Sequence, residues 1–326
     1  ASFALIAYAS AFLKRHHPAA FTCALLNNWP MGFYHPFTLV KDAQRHGVRF
    51  RPVDVTRSGR SCALEDGEVR LGLAYVRGLR AEAAERIERE RALRPFASLQ
   101  DFVDRTGLRR DEQRNLAEVG ALNAFGLTRR SALWQVEKVG RPRGELFREG
   151  AAREDGGAAL EGAFREEDRS RNPEEPAWSG APRGGVLPEM DLPERLSSDL
   201  AGTGLTVGPH PVSLFREELL ERGVRRAADL PGTADGARVR VAGAVICRQR
   251  PGTAAGFLFL TLEDETGLVN VIVRPDLFQR ERAVLVGEAV LEVDGVLQTG
   301  AGLSVRAFAV RKALAGVPVT PARSFR

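Results

Sequence analysis

RVRVAGAVICRQRPGTAAGFLFLTLEDETGLVNVIVR, residues 238–274, alternates apolar and polar side chains through three successive runs. A period of two is the mark of a strand with one buried face. Val239 and Val241 share one face while Arg238 and Arg240 take the other. Leu258, Leu260 and Leu262 repeat the pattern, which sends Phe257 and Phe259 to the opposite, outward side. The third run, 268–274, follows the turn Glu263-Asp264-Glu265-Thr266-Gly267. A helix-like interval over 275–283 precedes two more strand candidates, 289–297 and 303–310, joined by Gly300-Ala301-Gly302.

Five strands with a helix between the third and fourth is the order of an OB-fold barrel, whose exposed sheet often binds single-stranded nucleic acid. The expected binding surface carries basic and stacking side chains together. Arg248 and Arg250 fall on the loop after strand one, Phe257 and Phe259 on strand two, and Arg274 at the end of strand three. That set suits a single-strand groove. The competing reading has the phenylalanines covering the barrel bottom or packing on a neighbouring domain, with the arginines as ordinary solvated charge.

At 326 residues the chain has room for two or three domains with cores of their own. Its net charge of +5, from 47 basic and 42 acidic residues, suits a polyanion partner without requiring one. Cys23, Cys62 and Cys247 stand far apart without metal-ligand or disulfide spacing, which argues against a zinc site and fits a cytosolic protein. The opening ASFALIAYASAFL is apolar but stops at Lys14-Arg15-His16-His17, short of the roughly 20 residues that a membrane span needs. No initiator Met or cleavable signal pattern is present, and the chain reads as a fragment of something longer.

Two helices are expected at 2–15 and 18–27, each with a buried side, and a third at 36–46 ending at Gly47. An extended segment follows at 48–55. Val76-Arg77-Gly78-Leu79 sits between two helical stretches and looks like a helix-hairpin-helix turn. Gly78 lets backbone amides at the start of the second helix approach a phosphate. Arg80 stands where such hairpins usually carry a second glycine; it could contact phosphate itself or mark a purely structural hairpin. A weaker copy spans 99–122 around Thr106-Gly107-Leu108. From 140 to about 193 glycine, proline, arginine and glutamate dominate, the composition of a mobile linker. His210, between two prolines, reads as structural.

In order, these pieces resemble one family. The segments ASFALIAYASAFLKRHHPAAFTCALLNNWPMGFYHP, RHGVRFRPVDV, RLGLAYVRGLR, PFASLQDF, TGLTVGPHPVSLFR and RQRPGTAAGFLFLTLEDETGLVNVIVRPDLF are similar to the C-terminal part of bacterial C-family DNA polymerases. PMGFY and RQRPGTAAG place the resemblance on the error-prone branch, a paralogue of the DNA polymerase III alpha subunit. The resemblance implies a multidomain α plus β chain. An all-α N-terminal part holds the end of the fingers at 1–66 and a tandem helix-hairpin-helix module at 67–140. A flexible linker at 141–196 and a connector at 197–232 lead to a five-stranded OB-fold at 233–312 and a basic tail at 313–326.

It also implies a DNA-directed DNA polymerase acting in damage-induced translesion synthesis and repair, in which this piece grips duplex product and template single strand. Nucleotidyl transfer needs clustered carboxylates holding two Mg2+ ions. The family's palm supplies them as Asp-x-Asp, which occurs nowhere in this sequence, so catalysis by this piece alone is not expected. Lys14 and Arg15 could face the incoming nucleotide or cap their helix. Family partners include the sliding clamp and an accessory scaffold related to Y-family polymerases. The nearest clamp peptide, around Leu146 and Phe147, lacks the usual glutamine. The alternative is a free-standing, non-catalytic nucleic-acid-binding or scaffold protein.

Overall fold

The computed structural model describes residues 2–30, 34–139, 187–300, 302–314, 316–319 and 322–325. Helices α1 (Ser2–His16) and α2 (Pro18–Asn27) meet at His17, with Pro18 at a first-turn position where its missing N–H is not needed. α2 buries Cys23 and Leu26. α1 does not have the expected buried side: Phe3, Leu5, Ile6 and Tyr8 all face outward. Its apolar residues lie around the whole helix, a pattern that selects no core face.

α3 (Pro36–Arg45) starts where the His35 Nδ1 accepts the Phe37 N–H at 3.2 Å, and it buries Phe37 and Val40. A small sheet follows, β1 (Phe50–Arg51) parallel to β3 (Glu68–Arg70), which pairs antiparallel with β2 (Ala63–Glu65). The helix expected between the hairpin and Val76 does not form. Only a single 3-10 turn, Leu73–Tyr75, remains there. α4 (Ala81–Leu93), α5 (Leu99–Thr106), α6 (Arg110–Glu118) and α7 (Arg129–Val139) complete the helical body. Ser98 caps α5 by accepting the Asp101 N–H, and Gly107 ends it in the left-handed region. Ile87, Phe102, Leu116 and Leu122 are completely buried at its centre. Each such side chain contributes on the order of 1.5–3 kcal/mol by leaving water.

The stretch read as linker ends earlier than expected. α8 (Leu192–Thr203) opens with reciprocal capping between Asp191 and Glu194 and crosses the 196/197 boundary. Leu200 and Leu205 enter the helical core. Further on, a 3-10 turn at Pro211–Phe215 and α9 (Arg216–Glu221) press Val212 and Leu219 against Ala242, Val290 and Leu314 of the barrel. The connector therefore packs on both bodies. Leu146 and Phe147 lie outside the described residues.

The barrel has the expected order: β4 (Arg238–Gln249), β5 (Leu258–Glu263), β6 (Leu268–Val273), α10 (Pro275–Arg280), α11 (Arg282–Gly287), β7 (Val290–Gln298) and β8 (Ser304–Lys312). β4 pairs with β7 from Arg238 to Ala244 and with β5 from Ala244 to Gln249, and the parallel β6–β8 pair closes the barrel. At the switch, a Cβ on Gly243 would lie 2.8 Å from the Glu263 carbonyl oxygen, so only glycine lets the strands approach this closely. A bulge between Val245 and Cys247 completes the bend. Within the basic tail Arg323–Phe325 forms a short strand, β9, parallel to Cys247–Gln249.

Candidate nucleic-acid interface

Because β5 and β6 bury Leu258, Leu260, Leu262, Val269, Val271 and Val273, their alternate residues face outward. Phe259, Thr261, Asn270 and Ile272 join Cys247 and Gln249 of β4, with Gln298 and Ser304 at the ends of β7 and β8, in lining a groove of about 720 Å3. Phe259 is 37% exposed. Thr261 and Asn270 sit in register and their side-chain oxygens lie 3.3 Å apart. Among the described residues no Lys or Arg lines this groove, and Asp235 stands at its rim. Arg306 is a neighbouring cation by register, exposed on β8 opposite Ile272. Thr261, Asn270 and Ile272 were missed as site residues, although the same alternation that singles out Phe259 marks them.

The nominated aromatics and arginines divide. Phe259 is in the groove. Phe257 precedes β5, is half-buried and does not line the groove; its amide closes a turn onto the Ala254 carbonyl at 2.9 Å. Arg248 lies within β4, not on the following loop, and its guanidinium donates to the carbonyls of Leu285, at 2.8 Å, and Glu288 at the end of α11. Burial pushes its pKa down. Arg250 is exposed after the strand, its guanidinium 4.5 Å from the Phe278 ring centroid. Arg274 caps α10 and pairs with Asp276 at 3.0 Å.

In the first hairpin Gly78 takes φ +76, and the Asn115 side chain covers it while donating to the Arg77 carbonyl at 2.9 Å. Arg80 is committed to Glu112. Its Nε lies 2.7 Å from Oε1, its second nitrogen 3.0 Å from Oε2, and its backbone N–H 3.3 Å from Oε1. The Arg109 N–H also reaches Oε2, at 3.0 Å. Glu112 is 1% exposed. Burial by itself raises its pKa, yet the Arg80 guanidinium and the two amides outweigh that and hold it at about 2. An internal carboxylate thus engages Arg80, one of the groups nominated to hold a phosphate.

Lys14 is paired with Asp42 at 2.8 Å, and neither it nor Arg15 lines the groove. The acidic trio that begins at the last residue of β5 is a junction between bodies. Glu263, completely buried, accepts from Arg45 and Thr38 of α3, and Arg216 of α9 reaches Asp264 and Glu265. Asp264 further accepts the N–H groups of Ala227, Thr266 and Gly267. Carboxylates so engaged leave no open ligand set for Mg2+. Among the described residues no group of three or more His, Cys, Asp or Glu could hold a metal ion. His210 packs beside this junction, its Nδ1 accepting from Val212 at 3.2 Å. Burial, with the charges of Lys41, Arg45 and Arg216, pushes its pKa down to about 3, so the ring is neutral.

A hairpin-bearing helical body joined to an OB barrel defines a nucleic-acid-binding chain. Residues 47–132 match the helix-hairpin-helix motif family and residues 239–312 the OB-fold nucleic acid binding domain family. The chain is 43% identical over 304 residues to the error-prone DNA polymerase of Pseudomonas aeruginosa, covering 92% of this chain and 27% of that protein. The counterpart from Pseudomonas fluorescens Pf0-1 is 45% identical over 300 residues, covering 90% and 26%. That of Anaeromyxobacter sp. strain K is 43% identical over 337 residues, covering 99% and 27%. Along most of its length the chain is similar to a part of these error-prone DNA polymerases, and it spans about a quarter of the length of the curated relatives it matches. No helix among the described residues is long and apolar enough to cross a membrane.

Proposed function

We propose that this chain is the DNA-handling part of an error-prone DNA polymerase, with the barrel groove taking the unpaired template strand and the helical body facing duplex product. The observation that carries the reading is the groove itself: an exposed aromatic, Phe259, beside Thr261, Asn270 and Gln249 in a trough of about 720 Å3. An aromatic platform flanked by amide and hydroxyl groups stacks bases with little regard for sequence. That tolerance suits synthesis past damaged template, the role the family name suggests.

The lining is nearly neutral, so the backbone charge is met outside it, by Arg250 beyond β4 and Arg306 on β8. Binding by the sliding clamp, through the peptide around Leu146 and Phe147, and by an accessory scaffold is a separate proposal that rests on the resemblance alone. Fluorescence anisotropy of labelled single-stranded and duplex DNA, titrated with salt, tests the main reading. Salt-dependent single-strand binding that Phe259→Ala weakens supports the groove, whereas absence of binding at low salt refutes it for this chain.

A further inference from the structure

A second cavity lies apart from the barrel, between the end of α2, the first hairpin and the end of α8. It measures about 280 Å3, and its lining includes Trp29, His35, Arg60, Tyr75, Arg77 and Thr203. Among the described residues no Asp or Glu lines it. Trp29 is 39% exposed and meets the His35 ring edge-on at 6.0 Å. The floor is fixed: the Tyr75 hydroxyl donates to the Leu26 carbonyl at 2.9 Å, and Thr203 is held by the carbonyls of Asp199 and Leu205. Arg77 is anchored by its backbone N–H on Gly202 at 2.7 Å and by one guanidinium nitrogen on Ala201 at 3.0 Å, while the residue stays exposed. Arg60, also exposed, has its guanidinium 4.0 Å from Glu85.

We infer that this cavity binds one nucleotide, its base against Trp29 and its phosphate between Arg60 and Arg77. Three features carry the inference. An exposed tryptophan ring is a strong stacking surface, and stacking tolerates any base. The two guanidinium groups suit a phosphate in charge and donor type; no carboxylate lines the cavity, and Glu85 meets Arg60 only at 4.0 Å from outside it. The volume, just under the roughly 300 Å3 of small ligand sites, admits a single nucleotide and excludes a longer stretch. Arg77 immediately precedes Gly78 in the exposed turn of the first hairpin, so a strand passing over that turn could leave one residue in the cavity. A nucleotide of a DNA strand and a free nucleoside triphosphate share this chemistry.

The test uses the whole chain with Trp134→Phe and Trp178→Phe, which leaves Trp29 alone of the three tryptophans. Its emission is followed during titration with an eight-residue oligothymidylate and, separately, with dTTP at low salt. Saturable quenching is expected, weakened about tenfold by Arg60→Ala and preserved when Phe259→Ala removes the barrel platform. Quenching by the oligonucleotide assigns the site to a strand, and quenching by dTTP alone assigns it to free nucleotide; either supports the site. Unchanged emission with both ligands overturns it, even where anisotropy shows the oligonucleotide bound at the barrel. Arg77→Lys, which keeps charge but loses the planar fork, separates recognition from folding: its midpoint should weaken while its melting curve stays in place.

Discussion

Arg45 on α3 donates from two guanidinium nitrogens to one oxygen of Glu263, at 3.0 and 3.1 Å. Thr38 donates to the other oxygen at 3.2 Å. Glu263 is the last residue of β5, the strand that carries Phe259 and Thr261 into the groove. The helical body therefore holds the groove strand by its end, and the barrel's orientation is tied to α3 through a completely buried carboxylate.

Removing one partner of that pair strands the other. Arg45→Ala should destabilise the junction by about 3 kcal/mol, because the remaining charge is buried without compensation. Burial raises the Glu263 pKa from 4.5 to about 7, with Arg45, Thr38 and Lys41 working against the shift. Between those values the folded state holds more protons than the unfolded one, so this residue's contribution to stability falls as pH rises from 4.5 to 7. His210, lowered from 6.5 to about 3, acts in the opposite direction over the overlapping range. Chemical denaturation from pH 4.5 to 8 should therefore show a steeper decline in His210→Phe than in wild type. An identical pH profile in the two proteins would contradict the assignment.

The Arg80–Glu112 pair predicts a stability effect where the hairpin motif predicts a binding effect. Arg80→Ala should lower the melting temperature of the helical body, since Glu112 loses its side-chain donor while remaining buried. The salt dependence of duplex binding should not change. A phosphate contact would instead lower the log–log slope by about 1. The Glu112 pKa is depressed, so its contribution is present above 4.5 and is lost as pH falls toward about 2. Circular dichroism melts between pH 2 and 6 check this. A reduced salt slope in Arg80→Ala would return the residue to the DNA interface.

The two neighbouring phenylalanines should separate cleanly. Phe259→Ala is expected to weaken single-strand binding by about 1–3 kcal/mol, the usual worth of one stacked base. Phe257→Ala should leave affinity nearly unchanged and lower stability instead, since its half-buried side chain lies outside the groove. Anisotropy paired with thermal melts on both variants distinguishes the two roles.

What could be read in the sequence was whatever rests on local periodicity. β5 and β6 each bury one face and expose the other, so Phe259 was placed correctly from alternation alone. β4 was harder: Val241 through Val245 are all buried, because the strand crosses there from β7 to β5 and loses its open face. Long-range pairing left no local trace. Glu263 reads as a turn residue until Arg45, 218 positions earlier, is found against it. α1 misled in the other direction, being apolar enough for a core yet exposed at Phe3, Leu5 and Ile6.

Arg248 and Arg250, two residues apart, make the sharpest contrast between a structural and a binding arginine. Arg248 reaches the Leu285 and Glu288 carbonyls at the end of α11, where a cation also meets the negative end of the helix dipole. Arg248→Ala leaves those carbonyls without this donor, and it should lower barrel stability by about 2 kcal/mol. The single-strand salt slope should stay as it was, because the guanidinium is not available to a phosphate. Arg250 lies over Phe278 and remains exposed. If it meets the strand as proposed, Arg250→Ala should leave the melt almost unmoved and reduce the slope by about 0.7, one phosphate's worth of released counterion on single-stranded DNA. Anisotropy at four salt concentrations on both variants resolves the matter: a slope change in Arg248→Ala, or none in Arg250→Ala, would reverse the roles assigned here.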